Sequence, residues 1–185
     1  VVTRQITPVD LITHRSGLPH HDLLWYGNQD ISRSELVHRL RYLPLSTDIR
    51  QEFQYNNLMY LTAGYLTEQL TGQTWEDAVR ERILDPLGMK RTNFSVMISQ
   101  KDDDYAKGYQ EEADQLKVIP FRGINVMGPA GSINSSVEEI SRWMKVQLNG
   151  GKYEDQILLS PSLIEKMHQP HMVTNRSSQH KEISD

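Results

Sequence analysis

Helix starts are marked along the chain more clearly than any other feature, and they constrain the fold most. Thr7 stands directly before Pro8 and three positions before Asp10, which is the spacing of a capping box. Ser32 and Glu35 repeat that spacing. Apolar residues at helical intervals follow these starts. The sequence therefore predicts a helix-rich body with few strands, whose helices begin near Thr7, Ser32, Asn57, Thr74, Ser136 and Ser160.

One predicted helix covers residues 58–71 and ends at Gly72. Its apolar residues form two stripes, so we expect it to be buried on most sides, with Asn57 as its cap. Another predicted helix carries an apolar stripe made of Val137, Ile140, Met144 and Leu148. Residues 101–104 (KDDD) are typical of a solvated loop, and residues 105–121 hold either a short hairpin or no regular structure.

The composition excludes several classes of function. Among 185 residues, 20 Lys and Arg stand against 24 Asp and Glu, and this net charge of −4 argues against nucleic acid as a partner. No apolar run has the length of a membrane span. Cysteine is absent, which excludes disulfides, thiolate zinc sites and a cysteine nucleophile. The chain opens at Val1 and closes in a polar tail over residues 173–185, so we expect a piece of a longer protein.

Residues 53–57 (FQYNN), just before the helix at 58–71, carry candidate site chemistry. Side chains alternate along an extended segment, so we expect Tyr55 and Asn57 to face one side and Asn56 the other. A phenol has an ordinary pKa of ~10 and acts as a base only beside a positive charge, whereas a carboxamide offers a donor and an acceptor to a substrate amide. The same residues also fit an aromatic packing anchor followed by a helix cap. From the residues alone, both interpretations stay open.

Several short motifs follow one another in an order that is known from a protein family. They are 7–19 (TPVDLITHRSGLP), 53–57 with its Tyr-x-Asn, 60–64 (YLTAG), 71–72 (TG), 86–89 (PLGM) with Thr92, 128–131 (GPAG), 134–135 (NS), 148–151 (LNGG) and 159–161 (LSP). In this order the chain resembles the serine β-lactamases and penicillin-binding proteins, in the class C-like branch that includes D-alanyl-D-alanine carboxypeptidases and esterases. The resemblance extends over residues 5–170, and no single motif carries it.

The resemblance implies an α+β fold of the β-lactamase/transpeptidase type, of which residues 1–172 would be the helical region and its flanks. It implies acyl transfer through a serine ester, with a lysine one turn after the serine. Tyr55 would then be the catalytic acid/base, and Asn57 the amide that orients the substrate and contacts the lysine. The implied substrate is a small molecule or a peptide, namely a β-lactam, a D-alanyl peptide or a simple ester. No metal and no organic cofactor is implied.

The remaining polar and glycine positions have simpler explanations beside the functional ones. Gly128 and Gly131 are candidates for the substrate-binding cleft, while glycines with positive φ in a turn are the structural alternative. His14 and Ser16 are expected to bond local backbone in a turn rather than form a catalytic pair. The His-His-Asp run at 20–22 matches no zinc spacing and is expected to be a solvated loop.

Two motifs of the family are missing from this sequence. The nucleophile motif Ser-x-x-Lys precedes the 7–19 segment in the family, whereas the match here, from Ser178 to Lys181, lies in the polar tail and is a coincidence. The third motif, Lys/His-Thr/Ser-Gly on an edge strand, is absent. We therefore expect this chain to be inactive alone and active only within a longer serine hydrolase, which would be exported if bacterial. A non-catalytic relative that keeps the scaffold for binding or assembly is the alternative, and the oligomeric state is left open.

Overall fold

The structure is a computed structural model that describes residues 2–28 and 30–174. The helices are α1 (Pro8–Ile12), α2 (Arg33–Arg39), α3 (Asn57–Thr71), α4 (Trp75–Val79), α5 (Val96–Ser99), α6 (Gly128–Gly131), α7 (Val137–Leu148) and α8 (Pro161–His168). The strands are β1 (Tyr109–Glu112), β2 (Gln115–Val118), β3 (Lys152–Tyr153) and β4 (Gln156–Ile157). The prediction of a helix-rich body with few short strands is confirmed. Most of the predicted tail, with Ser178 and Lys181, lies outside the described residues.

Most helices begin at a side-chain cap that the sequence predicts. Thr7 and Asp10 form the complete capping box of α1. At four further helices the cap hydroxyl accepts a hydrogen bond from the backbone N–H three residues later, and these caps are Ser32, Thr74, Ser136 and Ser160. Local sequence therefore determines where these helices start.

Helix α3 begins one residue earlier than predicted. Asn56 has an extended backbone (φ −153°, ψ 112°), and its Oδ1 accepts the backbone N–H of Leu58 at 2.8 Å. Asn57 already belongs to the helix, so its prediction as the cap was wrong. The cap has to be the last extended residue, because only there can its side chain reach back to the first free N–H groups. Gly72, at φ 69°, ends the helix as predicted.

The core consists of two apolar clusters, and α3 contributes Leu58, Met59 and Leu61 to the first of them. The first cluster consists of Leu11, Leu18, Leu36, Leu58, Met59, Leu61 and Met127. The other consists of Leu84, Leu87, Met89, Phe94 and Val146, with Trp75 and Trp143 packed against it. Gly64 brings α3 and α6 into direct contact, because a Cβ at this position would overlap the ring of Pro129.

Burial of α3 is restricted to its first half. Leu58 and Leu61 are fully buried, whereas Leu70 is 77% exposed. The expectation that α3 is buried on most sides was therefore only half correct. Leu66 and its neighbours Thr62 and Tyr65 are half-buried and line an open groove.

Helix α7 turns its apolar stripe outward. Val137 and Leu148 are 85% and 80% exposed, while Glu139 and Val146 are buried. The Glu139 carboxylate accepts backbone N–H groups from Arg91 (2.9 Å) and Thr92 (2.8 Å). These charge-assisted bonds orient the helix against the direction that its apolar stripe favours.

The strands form two separate antiparallel pairs. β1 pairs with β2, with Tyr109 opposite Val118, which confirms the hairpin alternative for residues 105–121. β3 pairs with β4 after α7. The residues of β1 and β2 are exposed throughout, so this hairpin contributes little to the core. Among the described residues, no helix combines the length and the apolar character that crossing a bilayer requires.

Candidate active site

Tyr55 and Asn57 lie side by side at the start of α3. The Tyr55 hydroxyl donates a hydrogen bond to Oδ1 of Asn57 at 2.9 Å, and Nδ2 of Asn57 lies 3.4 Å from Oδ1 of Asp22. Tyr55 is 45% exposed, so the phenol is open to a ligand. The predicted alternation is confirmed, since Asn56 points inward between them. The catalytic roles that the resemblance assigns to the pair stay predictions.

Asn56 holds this segment in place with all its side-chain polar atoms. It is fully buried, and its Nδ2 donates to the carbonyl oxygens of Leu18 (3.0 Å) and Pro19 (2.7 Å). Its Oδ1 caps α3. A carboxamide offers two donor hydrogens and one acceptor oxygen, and here each has a protein partner. Asn56 therefore ties the start of α3 to the turn at 16–19, a role that sequence reasoning passed over.

His14 packs against the same segment. Its Nδ1 accepts the backbone N–H of Asn56 at 3.1 Å, and its carbonyl oxygen accepts the N–H of Gln54 at 2.8 Å. Its ring centroid lies 4.6 Å from that of Tyr55 and 5.1 Å from that of Tyr60. The prediction that His14 bonds only local backbone was wrong, because the partner of its ring nitrogen is 42 residues away. A histidine followed by a turn gives no local signal of such a contact.

Ser16 does what the sequence predicts. It is buried, and its Oγ accepts the backbone N–H of Leu18 at 3.2 Å, so it stabilises the turn. The nearby Nδ1 of His14 is occupied by Asn56. His14 and Ser16 are thus engaged with other groups and do not form a nucleophile–base pair.

The hydrogen-bond partners of Tyr55 and Asn57 among the described residues include no Lys or Arg, and the nearest imidazole is held neutral. Burial lowers the pKa of His14 below its ordinary 6.5, and the neighbouring His20 lowers it further. Burial raises the pKa of Tyr60, with a smaller contribution from Tyr55, so Tyr60 remains a phenol that donates to the carbonyl of Ile12 at 3.0 Å. Among residues 2–28 and 30–174, no Lys or Arg side chain hydrogen-bonds to Tyr55 or Asn57.

The His-His-Asp run forms a wall of the site and is more than the solvated loop that we expected. The His20 ring centroid is 5.4 Å from that of Tyr55, and its Nδ1 lies 3.4 Å from Oδ2 of Asp22. The other oxygen of Asp22 faces Asn57 and also accepts the indole N–H of Trp25 at 3.0 Å. Within the described part of the chain, no three His, Asp or Glu side chains are arranged to hold a metal ion.

The two predicted cleft glycines lie in α6 rather than in a turn of positive φ, so that structural alternative was wrong. A Cβ on Gly128 would come within 2.6 Å of Nη2 of Arg33 and 2.7 Å of Oε1 of Glu76, two side chains that form an ion pair. A Cβ on Gly131 would meet only Ile124, at 3.6 Å. The closest neighbours of Gly128 are therefore side chains of an ion pair within the protein. Substrate binding by either glycine stays a prediction.

Ile124 also belongs to a small cavity of about 210 Å³ that adjoins the site. Residues 25–28 form one wall of this cavity and residues 122–126 the other. Trp25 connects the cavity to Asn57, because both side chains bond to Asp22. The Arg122 guanidinium stacks on the Tyr26 ring at 4.4 Å.

A groove of about 990 Å³ runs along α3. Most of its lining is apolar, and the residues that α3, α1 and α2 contribute include Met59, Thr62, Tyr65, Leu66, Pro8, Leu11 and Val37. Ser16 and Leu18 also line the groove, and the Leu18 carbonyl accepts from Asn56. The groove therefore reaches the turn that supports the Tyr55 segment.

Asp10 stabilises the segments on either side of that turn through ion pairs. Its buried carboxylate binds Arg15 (2.7 Å) and Arg50 (2.8 Å) in addition to the capping contacts with Thr7. The Arg50 guanidinium, helped by Thr7 and Arg15, holds the pKa of Asp10 well below its ordinary 3.8. This ion cluster connects the start of α1 with the two segments that flank His14 and Tyr55.

Comparison with known proteins identifies the family of this chain. The family model described as Beta-lactamase matches residues 2–181, and the chain belongs to this family. The unguisins hydrolase ungD' of Aspergillus campestris is 32% identical over 147 residues, which are 76% of this chain and 28% of that protein. The octameric penicillin-binding protein homologue from Pyrococcus abyssi has a TM-score of 0.76 at 26% identity, with 93% of this chain and 40% of that one covered.

A D-stereospecific amidohydrolase from Streptomyces sp. shares the fold, with a TM-score of 0.72 at 19% identity over 96% of this chain and 54% of that one. The predicted β-lactamase/transpeptidase-like fold and the resemblance to the superfamily are thus confirmed, although membership of the class C-like branch is not. The chain spans between 28% and 54% of the length of these three proteins.

Proposed function

We propose that this chain supplies the Tyr55–Asn57 part of the active site of a serine hydrolase, which acts through an acyl-enzyme on an amide or an ester. The observation that carries the proposal is the 2.9 Å hydrogen bond between an exposed phenol and a carboxamide at the mouth of α3. The substrate classes are a β-lactam, a D-alanyl peptide and a simple ester. Membership of the Beta-lactamase family supports this assignment.

The proposed reaction has two half-reactions. First, a serine Oγ forms a bond to the carbonyl carbon of the substrate, the bond to the leaving nitrogen or oxygen breaks, and Tyr55 passes the serine proton to the leaving atom. Then water attacks the ester carbon and gives a proton to Tyr55, the bond from that carbon to the serine oxygen breaks, and Tyr55 passes the proton to the serine oxygen as the acid is released. Asn57 orients the substrate carbonyl and contacts the lysine of the Ser-x-x-Lys motif. Both steps are balanced without a redox partner.

Tyr55 needs a cation to act as a base, and among residues 2–28 and 30–174 no Lys or Arg side chain hydrogen-bonds to it. The pKa of His14 is lowered, so this imidazole is neutral at pH 7. We assign the charge to the lysine of the Ser-x-x-Lys motif. It follows that the 185 residues by themselves do not turn over substrate.

We further propose that the groove along α3 receives the helix that carries this motif. The lining is mostly apolar, as the buried face of a helix requires, and it reaches the turn beneath Tyr55. A volume of about 990 Å³ corresponds to roughly two turns of a helix ~10 Å wide. Because Ser16 and Leu18 line the groove, a helix in this position would lie against the turn that supports the Tyr55 segment.

The test compares the 185-residue chain with the protein extended upstream through the proposed Ser-x-x-Lys helix. Each is incubated with a fluorophosphonate probe and with fluorescent penicillin, and nitrocefin and ester hydrolysis are followed. We expect labelling of the extended protein, loss of labelling when the motif serine is replaced by alanine, and no turnover by the 185 residues alone. An extended protein that takes up neither probe contradicts the proposal and favours a non-catalytic scaffold.

A further inference from the structure

Tyr55 is exposed to solvent, yet its ring packs against neighbouring aromatic rings. Its ring packs against two imidazoles, with centroid separations of 4.6 Å to His14 and 5.4 Å to His20, each tilted by 40°. Its hydroxyl has one hydrogen-bond partner in the described chain, Asn57. A phenol that is 45% exposed would otherwise rotate among its rotamers, so its direction depends on these rings.

We propose that His14 is a positioning residue for Tyr55: its ring supports the phenol from the side while its Nδ1 holds the backbone that carries it. The inference rests on the proposed function, because positioning matters for a group that moves a proton. It assigns no chemical step to His14 itself.

The backbone contact is the first support for this inference. The Asn56 N–H lies next to Tyr55 in the chain and donates to Nδ1 of His14 at 3.1 Å, while Gln54 on the other side donates to the His14 carbonyl at 2.8 Å. Tyr55 is thus bracketed by two hydrogen bonds to a single residue. Together they fix the Cα position of Tyr55 and the direction in which its side chain leaves the backbone.

The conformation of His14 is the second support. Its φ of 55° lies in the left-handed region, which costs a non-glycine residue on the order of 1 kcal/mol. A glycine would adopt this turn without strain but would provide neither a ring nor an acceptor. What the imidazole adds is the contact with Tyr55 and the bond to Asn56, and both are directed at the candidate site.

The electrostatic surroundings of His14 are consistent with an acceptor role. The groups that face it are His20, Tyr55 and Tyr60, with Phe53 at 5.4 Å completing the ring shell. Desolvation disfavours the charged imidazole. Because Nδ1 accepts the Asn56 N–H, the proton of the neutral ring resides on Nε2. This tautomer is a spectroscopic signature that can be measured without substrate.

The experiment uses two variants of His14 in the protein extended through the Ser-x-x-Lys helix. His14→Asn keeps an acceptor and tolerates positive φ but removes the ring, whereas His14→Phe keeps a ring and removes the acceptor. His168→Asn is the matched control, since His168 is exposed and bonds to Gln147. For each protein, NMR records the Tyr55 ring shifts and the exchange rate of the Asn56 amide, and kinetics give kcat and KM.

We expect the unmodified protein to show an Nε2-protonated His14. In His14→Phe the Asn56 amide should exchange faster by on the order of tenfold, and in His14→Asn the Tyr55 ring should lose its ring-current shift. Both variants should lower kcat by on the order of 10- to 100-fold with KM within about twofold, because misplacement affects the transition state more than binding. His168→Asn should match the unmodified protein.

Two outcomes overturn the inference. If the variants lower the melting temperature but leave the Tyr55 shifts and kcat unchanged, His14 is only a structural turn residue. If the tautomer is protonated on Nδ1, the acceptor geometry is wrong. Failure of the proposed function is distinguishable, because the unmodified protein would then show no turnover while the NMR differences between variants persist.

Discussion

The Tyr55 hydroxyl donates to Oδ1 of Asn57 across 2.9 Å, although one residue precedes α3 and the other opens it. The separation is set by Asn56 between them, which is fully buried and bonded through every polar atom of its side chain. The relative position of the two exposed side chains is therefore fixed by the buried residue between them.

Removing the phenol hydroxyl should abolish proton transfer and preserve the fold. In the extended protein, Tyr55→Phe is expected to lower kcat by about 10²–10⁴-fold, the usual contribution of a general acid–base group, because the ring packing remains. Its melting temperature should not change, since the hydroxyl bonds only to Asn57 in the described chain.

Tyr60→Phe is the matched control. It removes a hydroxyl that bonds the Ile12 carbonyl at 3.0 Å, so it should cost about 1 kcal/mol of unfolding free energy with little change in kcat. Equal kinetic losses in the two variants would contradict the assignment of Tyr55 as acid/base.

The two neighbouring asparagines should differ in their effect on stability. Asn56→Ala removes the cap of α3 and leaves the carbonyls of Leu18 and Pro19 unpaired, so we expect a loss of about 2–3 kcal/mol in urea unfolding. Asn57→Ala should cost less than about 1 kcal/mol, because its contacts are to Tyr55 and, at 3.4 Å, Asp22. A larger loss of unfolding free energy in Asn57→Ala than in Asn56→Ala would show that Asn57, and not Asn56, caps α3.

Asp10 should give the chain an acid-sensitive component of stability. Its folded pKa lies below the ordinary 3.8, so the unfolded state takes up the proton first as the pH falls. The stabilisation is therefore complete well above pH 3.8 and is lost as the pH drops below that value.

The variant Asp10→Asn should lower the unfolding free energy at pH 7 by about 2 kcal/mol and flatten its pH dependence below pH 5. Asp103→Asn is the control, because Asp103 is exposed and has no hydrogen-bond partner among the described residues. Denaturant titrations between pH 3 and pH 7 measure both effects. An unchanged slope in Asp10→Asn would show that the Arg15 and Arg50 contacts do not stabilise the fold.

Alanine substitutions at Gly128 and Gly131 distinguish a structural role from a role in substrate binding. Gly128→Ala forces apart the Arg33–Glu76 pair and should cost about 1–3 kcal/mol. Gly131→Ala makes an ordinary contact with Ile124 and should leave stability within about 0.5 kcal/mol. If Gly131 lines the substrate cleft as predicted, its alanine variant raises KM in the extended protein. An unchanged KM would remove Gly131 from the binding site.

Features that depend on neighbours in sequence were predictable from sequence. The caps at Thr7, Ser32 and Ser160 satisfy N–H groups only three residues away, so each motif contains both partners of its bond. The common orientation of Tyr55 and Asn57 followed from the alternation of an extended backbone.

Features that depend on distant partners were not predictable. The stripe of α7 that begins at Val137 has the spacing of a buried face, yet it is exposed in the structure. The helix is instead oriented with Glu139 inward, where its carboxylate accepts the backbone N–H groups of Arg91 and Thr92. Nothing within α7 encodes that partner. The same holds for His14, whose ring nitrogen meets Asn56 only after the chain has folded back.

The amino-acid sequence alone determined the helical character of this chain, the places where most helices start, and its membership of a family, because caps and ordered motifs are local or linear properties. The tertiary structure alone decided which side chains meet at the candidate site. His14 meets Asn56, and Asp22 meets Asn57, through contacts between segments 35 or more residues apart. Such contacts depend on how the elements pack in space, and no local pattern specifies that packing.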